Sequence, residues 1–439
     1  MQQSATLIKI LIMQKFRLIL ILLLVQFTGF SQDLDYAGNI IKKLASPEFK
    51  GRGYVENGDK KSADFISSEF RNLGLTPVTK KSYYQKFNIA VNTFPKRVFF
   101  RIDENELVAG SDFIIESSSP SVNGKFRIVK TSRSQLDTEA KLESLIKNAD
   151  GSFILIDSRD KKNEKPEVSK QTDENINFLK HDPQLNIKGI IIYTSDKLTW
   201  EISSKQNPRP VITLIKELDI NSVASVELTI DAKFLPNYTT QNVIGSIKGT
   251  SKPDSMIVVL AHYDHLGKMG KDTYFPGAND NASGVAMILN LAKYYSKNKP
   301  EYTMVFVALS AEELGILGAR AFADNPPVDL KKIKFLVNFD LAGTGEEGVR
   351  VVNGSVFRDK FDLLTRINEE QLLLPKIDIR GAACNSDHCP FYQKGVPCFY
   401  IYTQGGIKAY HDIYDKSETL PLTEFIDYYR LMIEFFSKI

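Results

Sequence analysis

The chain has 439 residues, 43% hydrophobic and 25% charged, enough for a sizeable core and two folded units. Its net charge of +3 is too small for the clustered basic face that nucleic-acid binding demands, so that class of partner is excluded.

At the N-terminus, Lys15 and Arg17 precede the apolar run Leu18 to Val25, and small and polar residues follow to Ser31. This order predicts a signal peptide over residues 1–31, with Met13 a credible alternative start. The uncharged stretch is short for a bilayer span. The expected product is therefore periplasmic or secreted, with no stable membrane anchor after cleavage. No Cys follows the apolar run, so no lipid attachment is indicated.

Residues 32–93 read as a largely helical opening of the chain. Ile40, Ile41 and Leu44 share one helix face, and Ala63, Ile66, Phe70 and Leu73 another that ends at Gly74. Between them Lys50 to Gly53 reads as a flexible polar link, and Tyr83 to Val91 as an extended segment. Residues 94–232 contain short β runs such as Phe153 to Asp157 and Gly189 to Tyr193, joined by polar connections such as Lys161 to Lys170. No His-carboxylate clustering occurs there, so the expectation is a separate, mainly β domain without chemistry of its own.

A short linker is expected around Pro236 to Thr240, and residues 233–439 then alternate strand and helix. Met256 to Ala261 is almost wholly apolar, the mark of a strand covered on both faces. Val285, Ile288, Leu289, Ala292 and Tyr295 form a helix stripe. Further strands are expected over 304–309, 335–339 and 396–402, and helices over 361–374 and 422–436. The fold class is α/β: an α/β/α sandwich with a mostly parallel, mixed central sheet. Three Cys occur, at 384, 389 and 398; their spacing permits a Cys384–Cys389 bridge without requiring it and does not resemble a zinc knuckle.

Chemistry gathers where these strands end. His262 and Asp264 follow one strand, Glu312 and Glu313 the next, Asp340 a third, and His411 lies beyond a fourth, with Asp280 in a Gly/Asn-rich turn between the first two. Ligands bind at the carboxyl ends of strands in open α/β sheets, so these residues should converge. Repulsion among Asp264, Asp280, Glu312, Glu313 and Asp340 would be severe in a partly dry cleft, and divalent cations remove it. One His plus carboxylates on each of two metals leaves open positions for catalysis, and a carboxylate beside a ligand but not bound to metal is suited to proton transfer. Spacing alone does not choose between Glu312 and Glu313 for that task.

The pieces Ala261 to Asp264, Pro276 to Gly284, Ser310 to Gly318, Asn338 to Asp340, Ser386 to His388 and Tyr410 to His411 resemble the di-zinc aminopeptidase family. Its relatives include glutamate carboxypeptidase and glutaminyl cyclase. The resemblance covers roughly 242–439, plus 44–87, where Gly51 to Gly53 and Tyr84 to Phe87 look like the family's opening. The middle region sits where many members carry an inserted protease-associated domain. The resemblance implies two Zn2+ ions, with Mn2+ or Co2+ as possible substitutes. It implies His262, Glu313, Asp340 and His411 as terminal ligands, Asp280 as the bridge and Glu312 as general acid/base. Asp264, counted among the catalytic residues, would orient His262, and Asp415 would sit similarly behind His411.

Ala383 stands where some secreted members place a Tyr that helps hold the oxyanion, so His388, Tyr402 and Tyr410 become the substrate-side candidates. His265 and His388 otherwise read as loop packing or hydrogen bonding. The implied function is an exported exopeptidase acting on peptides, an aminopeptidase first. The alternatives are a carboxypeptidase of the same family with Arg320 or Arg380 gripping a carboxylate, a glutaminyl cyclase-like transferase, and a non-catalytic receptor-like relative.

Overall fold

The computed structural model describes residues 33–79 and 81–439, and the leader expected over 1–31 lies outside them. Its centre is the strand Lys252–His262, whose apolar positions Met256 to Ala261 are all buried. This strand pairs in parallel with Tyr302–Leu309 on one side and Ile333–Asp340 on the other, and Cys398–Thr403 continues the parallel set. Antiparallel pairings add Lys233–Ile247, with Tyr84–Thr93 and Thr76–Pro77, at one edge. At the other edge Val349–Val352 joins antiparallel and Ile377–Ile379 closes the nine-stranded sheet.

Helices Gly58–Asn72, Gly284–Lys297, Arg358–Gln371 and Phe425–Lys438 cover one face and share a single apolar core with the sheet. The short helices Leu317–Asp324 and His388–Gln393 cover the other through Ala319, Phe322 and Phe391. The α/β/α sandwich with a mixed sheet is thus present as expected. It turns the exit ends of the four parallel strands toward one cleft.

Residues 98–230 build a second, eight-stranded sheet. Val122–Ser132, Phe153–Asp157, Gly189–Tyr193 and Val211–Leu214 run parallel in succession. The polar connections between them contain two helices, Glu139–Asn148 and Pro166–His181, which the sequence reading did not anticipate. Their apolar residues are sparse but fall on one face: Leu142, Leu145, Ile176 and Leu179 dock on Ile154, Ile156 and Ile190. The other face of this sheet packs with Phe94, Trp200, Leu266, Met269 and Phe275 in one core, so residues beyond 233 help to fill it.

Two other local expectations change. Pro236 to Thr240 is not a linker but lies inside Lys233–Ile247, with a register shift between Leu235 and Tyr238, the kind of irregularity at which a strand accommodates Pro. Lys50 to Gly53 is not a loose link either. It belongs to a tight turn packed against Gly267, where a Cβ on Gly53 would lie 2.5 Å from the Gly267 Cα.

Candidate active site

Each site residue is delivered by the end of a buried element. His262 is the last residue of its strand, and so is Asp340. Glu312 and Glu313 lie in the turn between the strand ending at Leu309 and the helix beginning at Leu317. Asp280 lies in the kinked segment Ala278–Ser283 that leads into Gly284–Lys297. His411 follows Cys398–Thr403 and adopts a left-handed backbone, φ 52°.

These five places meet around one carboxylate. Asp280 Oδ1 lies 3.4 Å from His262 Nε2, which is also 3.4 Å from Asp340 Oδ1. Asp280 Oδ2 lies 3.1 Å from His411 Nε2, which is 3.2 Å from Glu313 Oε2. His265 Nδ1 holds the other Glu313 oxygen at 2.7 Å. Ligand-type atoms of His262, Asp280 and Asp340 come within 4.8 Å of one another, and so do those of His265, Asp280 and Glu313. Either set can grip a cation, with Asp280 common to both.

Charge is concentrated accordingly. Burial pulls the His262 imidazole down, but Asp340, Glu312 and Asp280 outweigh it and hold its pKa well above the usual histidine range. His411 is pushed up to about 11, because Glu313 and Asp280 overcome its burial. The Glu312 carboxyl is held well above the usual range by burial, with Asp387, Glu313 and Asp340 adding to it. Burial likewise lifts Asp264 to about 7.

The supporting contacts differ in detail from those the resemblance implies. His262 Nδ1 is oriented by the backbone carbonyl of Asp264 at 3.2 Å, while the nearer carboxylate oxygen of Asp264 is 3.9 Å away. That carboxylate instead accepts from the Glu312 backbone N–H (3.1 Å) and the Tyr54 hydroxyl (3.2 Å), fixing the turn that carries Glu312. Asp415 does not stand behind His411: its two oxygens accept from the backbone N–H groups of Asn279 and Asp280, at 2.8 and 3.0 Å, and so hold the Asp280 loop.

A cleft of about 420 Å³ opens over the cluster, lined by Glu312, Glu313, His411, Tyr410, Arg320 and Glu201, among others. Tyr410 stacks on the His411 ring, with centroids 4.0 Å apart. His388 is fully buried, its Nε2 bonded to the Ala383 carbonyl, and burial lowers its pKa to about 4, so it is neutral. Tyr402 is partly buried one turn of the pleat from Tyr400, and it is the Tyr400 hydroxyl that reaches Asp340, at 3.4 Å. Cys384 and Cys389 form a disulfide beside the cleft, and Cys398 is free and buried.

Residues 242–436 match the profile of Peptidase family M28. Across a longer span, aminopeptidase YwaD of Bacillus subtilis (strain 168) is 26% identical over 348 residues, covering 77% of this chain and 69% of that protein. A "Probable zinc metalloprotease" of Pyricularia oryzae is 36% identical over 111 residues, but these are only 22% of its length. Among solved structures, BSAP, a zinc aminopeptidase from Bacillus subtilis, superimposes with a TM-score of 0.65 at 21% identity, over 91% of this chain and 93% of that one. The fold is therefore shared along nearly the whole chain.

The segment that matches this profile does not hold its site alone. Arg52, 190 positions before Asn242, is fully buried beneath the cluster. Its guanidinium donates to the carbonyl oxygens of Tyr263 (2.7 Å), Pro276 (2.6 Å), Gly277 (2.7 Å) and Asp280 (3.0 Å). Burial lowers its pKa to about 10, against the raising influence of Asp280 and Asp415, so it stays charged at neutral pH. The sequence signal was the Arg between two glycines: the chain must pass Gly267 so closely there that Cβ atoms at 51 and 53 would collide with it. Asp387 was also passed over. It is fully buried, and neither carboxylate oxygen has a hydrogen-bond partner.

Proposed function

We propose that the chain is an exported zinc-dependent aminopeptidase that removes N-terminal residues from peptides. The observation that carries this reading is the Asp280 carboxylate, whose two oxygens each face a separate His-carboxylate set. Two imidazole Nε2 atoms with carboxylate oxygens are a donor set suited to zinc, and Mn2+ or Co2+ would fit the same atoms. On this reading His262 and Asp340 would hold one ion, Glu313 and His411 the other, and Asp280 both. Zinc bound there would polarise a peptide carbonyl and make water acidic enough to be a nucleophile at neutral pH.

The remaining work falls to side chains. Glu312 lines the cleft without a fixed cationic partner, and its raised pKa suits it to take the proton of the attacking water and return it to the leaving amine. Asp264 and Tyr54 hold the Glu312 turn, and His265 holds Glu313. Tyr400, whose hydroxyl lies 3.4 Å from Asp340, and Tyr410, stacked on His411, are the tyrosines on which a developing oxyanion could draw, whereas buried His388 is spoken for by Ala383. Residues 94–232 would be a protease-associated-like unit inserted between 32–93 and 233–439. Export is supported by the leader pattern in the sequence and by the Cys384–Cys389 disulfide, which suits an oxidising compartment. Among the described residues no helix is long and apolar enough to cross a membrane.

A second reading, a carboxypeptidase, draws on Arg320 in the wall of the cleft, where it could meet a free carboxylate. One experiment separates the possibilities: metal-depleted protein, before and after addition of zinc, given peptides with a free N-terminus, N-acetylated peptides and N-terminal glutaminyl peptides. Zinc-restored cleavage confined to free N-termini is the expected outcome. Cleavage of the acetylated set would make the protein a carboxypeptidase, and ring closure a cyclase. Uptake of less than one zinc with no turnover would leave the receptor-like relative.

A further inference from the structure

The unit spanning 94–232 has no metal-ligand cluster among its described residues, yet it grips the loop that carries His411. Lys197 Nζ donates to the carbonyl oxygens of Lys408 (2.9 Å) and Tyr410 (3.1 Å) and pairs with Asp412 Oδ2 at 2.6 Å. Three residues on, the Trp200 backbone N–H donates to the carbonyl oxygen of His411 itself, at 2.8 Å. A four-residue segment of one unit thus holds three carbonyls and a carboxylate on either side of one site histidine. The segment is itself anchored. The Trp200 indole N–H donates to the Ile115 carbonyl at 2.6 Å, and its ring stacks on Phe275 at 4.5 Å and 18°.

The loop has reason to need such a clamp. His411 holds a left-handed backbone conformation that a residue with a Cβ rarely adopts unless its surroundings impose it. Asp412 is 4% exposed, and besides the backbone N–H groups of Tyr410 and Tyr414 its carboxylate meets Lys197, the cation that offsets its buried charge among the described residues. The His411 ring reaches Asp280 and Glu313 from this loop, so the donors on the carbonyls at 408, 410 and 411 fix the main chain from which Nε2 is presented.

We propose that Lys197 is a positioning residue for the active site: through it and the Trp200 amide, the inserted unit sets the His411 loop and hence the Glu313–His411 half of the cluster. The role of the loop clamp stands on geometry alone, and only its consequence for metal rests on the zinc peptidase reading.

The test uses the full chain with Lys197→Ala and the conservative Lys197→Arg. In metal-free protein, amide exchange over 408–413 should accelerate in Lys197→Ala, remain unchanged over 262–265 and 278–283, and return toward wild type in Lys197→Arg. In a zinc titration the wild type should take up two equivalents. Lys197→Ala should keep one at wild-type affinity and bind the other about tenfold more weakly, as loss of support behind a ligand typically does. Unchanged exchange over 408–413 overturns the proposal. So does acceleration spread equally through the inserted unit, or equal weakening of both equivalents. If the wild type itself takes up no zinc, the peptidase reading fails, while the exchange pattern still decides the part played by Lys197.

Discussion

Asp280 and Glu312 illustrate two ways for a carboxylate to matter in this cleft. Asp280 is shared by both His-carboxylate sets, so Asp280→Ala should abolish uptake of both zinc equivalents together, measured by calorimetric titration. Glu312 touches neither set through a short ion pair, and Glu312→Gln keeps its size. That variant should retain two equivalents while kcat falls by about 10²–10⁴, the usual worth of a general acid/base, with KM little changed. Loss of metal along with activity in Glu312→Gln would instead make Glu312 a ligand. Arg52 acts from below. Arg52→Met strips buried carbonyl oxygens of their donors and should destabilise the fold by about 3–5 kcal/mol in urea unfolding.

Among the elements, the clearest electrostatic join is in the inserted unit. Arg133, buried after Val122–Ser132, donates two hydrogen bonds of 2.8 Å to Glu164 and a third to Asp173 in the helix Pro166–His181. The hydrogen bonds from Arg133 hold the Glu164 carboxyl below its ordinary value. A carboxyl depressed in the folded state stabilises above its unfolded pKa of about 4.3, and that stability is lost as pH falls through the lower folded value. Glu164→Gln should therefore melt below wild type at neutral pH, and the gap should begin to narrow as pH falls past the unfolded value and close only once pH has passed below the depressed folded value. A gap that persists in acid would assign the loss to packing.

Legibility followed the same physical divide. The strand bearing His262 and the strand bearing Asp340 could be read because each is a buried apolar run that stops at a ligand-type residue, a pattern contained in a few neighbouring positions. Arg52 and Lys197 could not, because what they hold is main chain: carbonyls that carry no side-chain signature and lie up to 228 positions away. Asp415 was named only through the resemblance, and with His411 rather than the Asp280 loop as its partner, for the same reason. Helices Glu139–Asn148 and Pro166–His181 escaped notice because each buries only a few positions, too thin a stripe to stand out in a charged stretch. The longer strands of that unit, such as Phe153–Asp157 and Gly189–Tyr193, were the easier signal, whereas the three-residue strands Asn105–Leu107 and Phe113–Ile115 were not read.

For the molecule as a whole, the two sheets are joined by a common core rather than by a tether. Leu266, Met269 and Phe275, which follow the His262 strand, are buried among residues of the inserted unit. Excising 95–231 should therefore not give a small, well-behaved peptidase but a chain with that apolar surface uncovered, detectable as dye binding and aggregation. Trp200 is the chain's one tryptophan and sits at this junction, so its fluorescence and far-ultraviolet circular dichroism should report a single coincident melting transition. Two separated transitions would make the units independent.

Arg52 also bears on the order in which the protein is put together. Repulsion in the acidic floor of the cleft was argued from sequence to need divalent ions, yet a permanent cation already lies under Asp280, supplied by the polypeptide itself. Part of the counter-charge is therefore present before any ion arrives. The expected outcome is a chain that completes its fold empty and is loaded afterwards: metal-stripped protein should keep the far-ultraviolet circular dichroism of the loaded form, and loss of structure on stripping would show that the ions are needed to build it.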